Sequence, residues 1–296
     1  MKEKSIKGVT LMYTFPIGVM LESFGIERSA AIKKAAEIGA NGIQMYATSG
    51  QNSPENLSAE ARRALLREVQ DAGLVFSALC GDLGHGFGNA ELNPGLIEKS
   101  KRIVDLAKDL GTDIVTTHIG VVPSDPSHER YKIMQAACAE LAEYADSVGA
   151  HFAIETGPET ADVLCAFLDS LGSTGVAVNL DPANFKMVTG DDPVRAVHTL
   201  KKYIVHTHAK DGNNLLPCNP EYIYRAVHPV PEEVQGKKYF EEVPLGTGSV
   251  DFPNYLRALE EIGYRGFLTI ERETGDCPEE DIRIAYDFLQ KTIREN

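Results

Sequence analysis

One motif recurs along this 296-residue chain and governs what it can fold into: an amphipathic helix pattern ends at a glycine, and a short apolar or β-branched run follows within one to three residues. It appears as AIKKAAEIGANGIQMYA (31–47), LLREVQDAGLVFSALC (65–80), IVDLAKDLGTDIVTTHIG (103–120), ELAEYADSVGAHFAIET (140–156) and ALEEIGYRGFLTIERE (258–273). Glycine suits the position past a helix because a left-handed backbone costs it no Cβ clash. Gly39, Gly73, Gly111 and Gly149 lie 34, 38 and 38 residues apart, close to the 37 residues per unit of a chain divided into eight.

Strands alternating with helices at that period build βαβ units and a parallel sheet, and eight such units close into a (β/α)8 barrel. The pattern places strands near 8–20, 42–47, 75–82, 113–120, 151–156, 176–181, 204–210 and 267–273. An open doubly wound sheet would instead carry a GxGxxG turn after an early strand; GDLGHGFG (81–88) has the wrong spacing and no helix start behind it, so it reads as a loop. Seven units are compact. The exception is 212–251, with Pro217, Pro220, Pro229, Pro231 and Pro244 and little periodicity. A connection of that length after a strand C-terminus predicts a lid-like insertion over the catalytic face of one barrel domain spanning 1–296.

In a barrel the strand C-termini carry the chemistry, and side chains alternate faces along each strand. Phe152 and Ile154 share one face against Ala153 and Glu155. Val176, Val178 and Leu180 oppose Ala177, Asn179 and Asp181. His206, His208 and Lys210 share a face, and Leu268 and Ile270 oppose Thr269, Glu271 and Glu273. With the apolar sets turned to the helices, Glu155, Asp181, His208 and Glu271 end four successive strands and converge at the mouth. Three carboxylates in a partly dry cavity would raise one another's pKa values, and a divalent cation relieves that repulsion. One imidazole with three carboxylates is an oxygen-rich set, placing Mn²⁺ or Mg²⁺ ahead of Zn²⁺ or Co²⁺.

These residues also carry a family resemblance. FAIETG (152–157), VNLDPAN (178–184), IVHTHAKD (204–211), EVPLGTGSVDF (242–252) and FLTIERE (267–273) resemble the xylose-isomerase-like TIM-barrel superfamily, which includes ketose 3-epimerases, hydroxypyruvate isomerases, inosose dehydratases and, more distantly, endonuclease IV. The resemblance implies one divalent metal on Glu155, Asp181, His208 and Glu271, with the second histidine of HTH as the ligand. It also implies that Glu155 and Glu271 lie on opposite sides of the substrate as the catalytic pair. Three positions depart from the epimerase pattern. Asn184 stands where a His is usual, Ala161 where a substrate-binding Glu is usual (Glu159 is nearby but out of register), and Asp211, Gly212 and Asn213 where an Arg is expected. The HxHxKD pattern leans towards the dehydratase and isomerase branches.

The activity so implied is isomerisation or epimerisation of a small sugar, polyol or keto acid through an enediolate, with inosose-type dehydration as the alternative. A non-catalytic metabolite-binding barrel is the alternative from another class, although a binder has no need to keep both glutamates. The substrate-binding set is His118, Asn184, His206 and Lys210; His206 points inward but deeper, so support of a ligand is its better reading. His85 is a loop residue with a minor claim as ligand. GTG (246–248) could cradle an anion through its backbone N–H groups, with a tight turn as the default. Cys80 could be a reactive thiol or a buried small hydrophobe.

Composition removes other classes. The net charge is −14 and no basic run exists, which argues against nucleic acid and against an anionic membrane surface. Endonuclease IV-like repair would in addition need further histidines for its metals. No basic cluster marks a phosphate pocket, so an unphosphorylated substrate is expected. The five cysteines are odd in number and lack CxxC spacing, which predicts reduced thiols and a cytoplasmic protein. Lys2, Lys4 and Lys7 before VTLMYTFPIGVML mimic a signal peptide, but Glu3, the interrupting Thr, Tyr and Pro, and the lack of a cleavage site favour a first strand. A homo-oligomer is compatible with this architecture.

Overall fold

The computed structural model describes residues 15–224, 226–227 and 229–295. Eight parallel strands close on themselves: β1 (Ile17–Met20), β2 (Gly42–Tyr46), β3 (Val75–Cys80), β4 (Ile114–Thr117), β5 (His151–Glu155), β6 (Val176–Leu180), β7 (Ile204–Ala209) and, after two short strands of another sheet, β10 (Leu268–Ile270). β1 pairs in parallel with both β2 and β10, which closes the ring. The expected (β/α)8 barrel is therefore the fold. The 8–14 part of the expected first strand and the lysines at 2, 4 and 7 lie outside the described residues, while Ile17–Met20 of the same apolar run is β1.

Each strand is followed by the helix that the pattern places there. The major ones are α1 (Arg28–Ile38), α2 (Ala59–Asp71), α3 (Asn93–Asp109), α4 (Glu129–Val148) and α5 (Ala161–Leu171). Gly39, Gly73, Gly111 and Gly149, which set the repeat, all have positive φ, between 62° and 100°. Beyond β6, a helical turn α6 (Pro182–Asn184) runs into a π-helical turn (Phe185–Thr189) and then α7 (Pro193–Leu200). Outward-facing Phe152, Ile154, Val176, Val178, Leu180, Leu268 and Ile270 are buried against the helices, as the alternation requires.

The barrel interior is polar to an unusual degree for a layer that branched aliphatics commonly fill. The Gln44 amide donates to Thr116 Oγ1 at 2.8 Å, His206 Nδ1 meets Asn179 Oδ1 at 2.9 Å, and its Nε2 meets Thr269 Oγ1 at 2.9 Å. Such a layer tolerates burial only because its members satisfy one another.

The proline-rich segment folds as a small sheet: β8 (Asp211–Asn214) pairs antiparallel with β9 (Phe240–Val243), and a short turn of helix, α8 (Pro220–Ile223), lies between them. α9 (Phe252–Glu261) and α10 (Pro278–Glu295) complete the ring. The Asp211 carboxylate pins both ends of the segment. Its Oδ1 accepts from Gly212 N and Val250 N (2.9 and 3.1 Å), and its Oδ2 from Gly246 N and Gly248 N (3.0 and 2.9 Å). GTG is the tight turn of the default reading, with Thr247 N donating to Pro244 O at 3.1 Å; the amides at 246 and 248 are taken by Asp211 and offer no cradle for an anion. A second tie joins β9 to the barrel, where Arg272 binds Glu242 at 2.7 Å and Asp281 at 2.8 Å.

Candidate metal centre and active site

Glu155 is the last residue of β5, Asp181 and Lys210 directly follow β6 and β7, and Glu271 directly follows β10. The parity of each strand turns these residues inward, and one ligand-capable atom from each of Glu155, Asp181, His208 and Glu271 lies within 4.8 Å of the other three. All four are buried. His208 Nδ1 stands 3.1 Å from Glu271 Oε2, 3.5 Å from Glu155 Oε1 and 3.6 Å from Asp181 Oδ2.

Each side chain is held from its far side. Asp181 Oδ1 accepts from Ala183 N and Asn184 N (2.8 and 3.0 Å), capping the helical turn after β6. His208 Nε2 lies 3.1 Å from Gln44 Oε1, which fixes the ring with Nδ1 turned to the carboxylates. Asn184 Nδ2 donates to Glu155 Oε1 at 3.1 Å, and Lys210 Nζ to Glu271 Oε2 at 3.0 Å; Lys210 also pairs with Glu273. What remains are two buried atoms without a hydrogen-bond partner among the described residues, Asp181 Oδ2 and His208 Nδ1. They face each other inside the cluster, where an orphaned acceptor is costly. Oxygen and imidazole donors bound to one ion at ~2.0–2.6 Å stand no more than about 5 Å apart, which this set meets. The residues present thus fit a divalent cation.

The electrostatics are those of a charge-hungry cage. Burial alone would lower the His208 pKa, but Glu271 and Glu155 drive it well above the ordinary histidine value. Burial pushes the Glu271 carboxyl up, yet His208 and Lys210 beside it hold it well below the usual carboxylate range. Lys210 stays cationic despite burial because Glu271, Asp181 and Glu273 surround it.

Above the cluster is a cavity of about 250 Å³, walled by His118, Asn184, Lys210, Tyr46 and Cys80 from the barrel and by Ile223, Tyr224 and Phe240 from the proline-rich segment. His118 Nδ1 donates to Asp82 Oδ2 (3.2 Å), Nε2 lies 3.8 Å from Glu155 Oε1, and the ring packs on Tyr224 with centroids 5.9 Å apart. Burial alone would lower its pKa, but Glu155 and the Asp82 bond raise it to about 9. Gly157 (φ 140°) lets this rim close: a Cβ there would sit 2.6 Å from Asn184 Cβ and 3.0 Å from the Tyr224 hydroxyl.

Of the residues singled out by sequence, Glu155, Asp181, His208 and Glu271 come together, and His118, Asn184 and Lys210 wall the cavity. His206 does not reach it. Both of its ring nitrogens are engaged one layer deeper, and burial together with charged His208 keeps it neutral, so it supports Asn179 and the layer beneath the ligands. His85 is exposed and outside the cluster. Cys80 walls the cavity, but burial pushes its thiol far above the range of a reactive thiolate. Sequence reasoning missed Gln44, Asp82, Tyr46 and Tyr224. Gln44 could have been found by parity on β2; Tyr224, in an aperiodic segment, carried no such signal.

A family model described as a xylose isomerase-like TIM barrel matches residues 32–292, and the chain belongs to that family. Among solved structures it is similar to a xylose isomerase domain protein from Planctomyces limnophilus, at 24% identity and TM-score 0.76 over 97% of this chain and 99% of that one. It is also similar to the probable 3-DHS dehydratase AsbF of Bacillus anthracis, involved in petrobactin synthesis (19%, TM-score 0.71, 93% and 99%). A third is an L-ribulose 3-epimerase (17%, TM-score 0.70, 95% of each chain). At these identities the likeness is one of fold. Among the described residues no helix is long and apolar enough to cross a membrane.

Proposed function

We propose that the protein is a divalent-metal-dependent isomerase or epimerase acting on a small sugar, polyol or keto acid. The observation that carries this reading is the facing pair of orphaned atoms, Asp181 Oδ2 and His208 Nδ1, inside a four-residue cage at the floor of a small cavity. The epimerase and dehydratase among its structural neighbours support the same class of chemistry.

Glu155, Asp181, His208 and Glu271 would hold the ion, with Mn²⁺ or Mg²⁺ matching the oxygen-rich donors. When bound, the ion supplies Lewis-acid stabilisation of negative charge on adjacent substrate oxygens, which lowers the barrier to an enediolate. The chain's own groups do the rest. Asn184 orients Glu155 to take the proton from the carbon beside the carbonyl. Glu271, kept ionised by Lys210, faces the substrate from the other side and is the partner for proton return. His118, steadied by Asp82, presents Nε2 to a substrate oxygen. Lys210 is a second donor. Tyr224, Ile223 and Phe240 roof the cavity and exclude water, which gives the proline-rich segment the part of a cover. Return of the proton to the same carbon is epimerisation, and to its neighbour isomerisation.

Dehydration on the same scaffold is the second reading, favoured by the buried, charged Lys210 beside Glu271, a cation placed to stabilise negative charge developing on a leaving hydroxyl. The test is turnover of ketoses, inososes and hydroxypyruvate with Mn²⁺. Glu155→Gln, assayed with metal content measured in parallel, is expected to lower kcat by roughly 10²–10⁴-fold. Full turnover by that variant would end the proton-transfer role.

A further inference from the structure

A second cavity, of about 610 Å³, lies outside the barrel mouth between the loops after β4 and β5, the π-helical turn and α8. That volume is within the ~300–1,000 Å³ of ordinary ligand sites, while the mouth cavity alone holds only a compact ligand. The two adjoin: Val188 lines both, and α8 divides them, with Pro220 and Glu221 facing the outer cavity and Ile223 and Tyr224 the inner one. The loop that carries Glu155 into the barrel carries Glu159 into the outer cavity, so their Cα atoms are at most about 14 Å apart.

Glu159 is 6% exposed, and only its Oε2 is engaged, accepting from Val122 N at 3.3 Å. Its Oε1 has no hydrogen-bond partner among the described residues. Arg130, which lines the same cavity, has an equally orphaned Nε, while its Nη2 is paired with Glu221. Two buried, unsatisfied polar atoms in the walls of one cavity leave hydrogen-bonding capacity that a ligand drawing either side chain towards it would satisfy. Its charge is constrained too. Arg130 is neutralised by Glu221 and burial pushes the Glu159 carboxyl up to about 8, so the floor is close to neutral near pH 7, while the exposed Asp125 adds an acidic group at the rim. Val122, Pro158 and Val188 supply aliphatic surface between the polar groups. A neutral ligand with hydroxyl edges and apolar C–H faces meets these demands; a phosphate does not.

We propose that this outer cavity is a second carbohydrate subsite, which takes a sugar ring or polyol arm beside the unit held at the barrel mouth. The proposal rests on the sugar reading above and narrows it to a glycosylated or otherwise extended substrate, or to a second sugar molecule bound alongside the first.

The test is calorimetric titration of the Mn²⁺-loaded full chain, wild type and Glu159→Leu, with D-fructose, D-psicose and the disaccharide lactulose, together with crystals soaked in the same sugars. A disaccharide-to-monosaccharide affinity ratio of ten or more in wild type, falling to near one in Glu159→Leu, supports a linked second ring. Two monosaccharides per chain, the weaker one lost in Glu159→Leu, supports a separate molecule. In both cases density is expected against Glu159 and Arg130. Because Glu159 Oε1 has no structural partner and a Gln Oε1 can still accept from Val122 N, the isosteric Glu159→Gln is expected to melt at or above the wild-type temperature, whereas Glu159→Leu also strands that N–H and is expected to melt somewhat lower, so loss of second-ring binding in both variants separates a ligand role from a structural one. A ratio near one in wild type, or density for the second ring elsewhere, overturns the subsite and leaves the sugar reading intact. Failure of wild type to bind any of the sugars removes both.

Discussion

Asp181 closes β6 and Asp211 follows β7, and both carboxylates are removed from solvent (0% and 1% exposed). Asp211 accepts four backbone N–H groups, two per oxygen, and so staples the start of the proline-rich segment to its end. Asp181 spends one oxygen on a helical turn and leaves the other without a partner, 3.6 Å from an equally unpartnered histidine nitrogen. The same side chain at the same depth is architecture in one place and an unfinished coordination shell in the other. Hydrogen-bond accounting, more than burial or charge, tells the two apart.

The largest effect that would sharpen this contrast comes from Asp181→Asn. The cap on Ala183 N survives on Oδ1, so the metal-free protein should melt no lower than wild type. Mn²⁺ affinity and kcat/KM should each fall by more than about 10³-fold, ~4 kcal/mol. Retention of metal by this variant would break the comparison. Asp211→Ala should do the reverse. Stranding four buried N–H groups is expected to cost roughly 3–5 kcal/mol, seen as a fall of about 10 °C in Tm, while the folded fraction still binds one Mn²⁺.

A smaller effect is expected one shell out. Gln44→Met removes the acceptor that holds His208 Nε2, and titration with Mn²⁺ should give an affinity ~10–100-fold weaker with Tm little changed. The smallest concerns pH. His118 is raised from 6.5 to about 9 in the folded chain by Glu155 and Asp82, against burial. Its contribution to stability is therefore complete below pH 6.5 and lost as pH rises through 9. The metal-free protein should show a Tm that declines over that window, and His118→Gln should flatten it. Mn²⁺ should flatten it too, because a cation on Glu155 removes much of the charge that holds the proton.

The strand ends were legible because alternation leaves no freedom: once Phe152 and Ile154 face the helices, Glu155 must face the barrel, and the same holds for Asp181, His208 and Glu271. The turns between helix and strand were legible through glycine, for the same steric reason that gives Gly39 and Gly149 positive φ. The proline-rich segment was legible only as an interruption. Nothing periodic marks Tyr224 or Phe240 as walls of the cavity, since their placement depends on the Asp211 staple and the Arg272–Glu242 pair, contacts made far apart in sequence. GTG left two readings open because a run of free amides and a run of amides bonded to a buried aspartate look alike in one dimension. Glu159 drew notice by its distance from Glu155, but its orphaned oxygen is a property of packing.

The central claim is tested most directly by an anomalous difference map from crystals of the protein grown with Mn²⁺, backed by metal analysis of the same preparation. The account predicts one ion per chain, with Glu155, Asp181, His208 Nδ1 and Glu271 all at ~2.0–2.6 Å. A map without a peak among those four residues, from a preparation saturated with Mn²⁺, would contradict it.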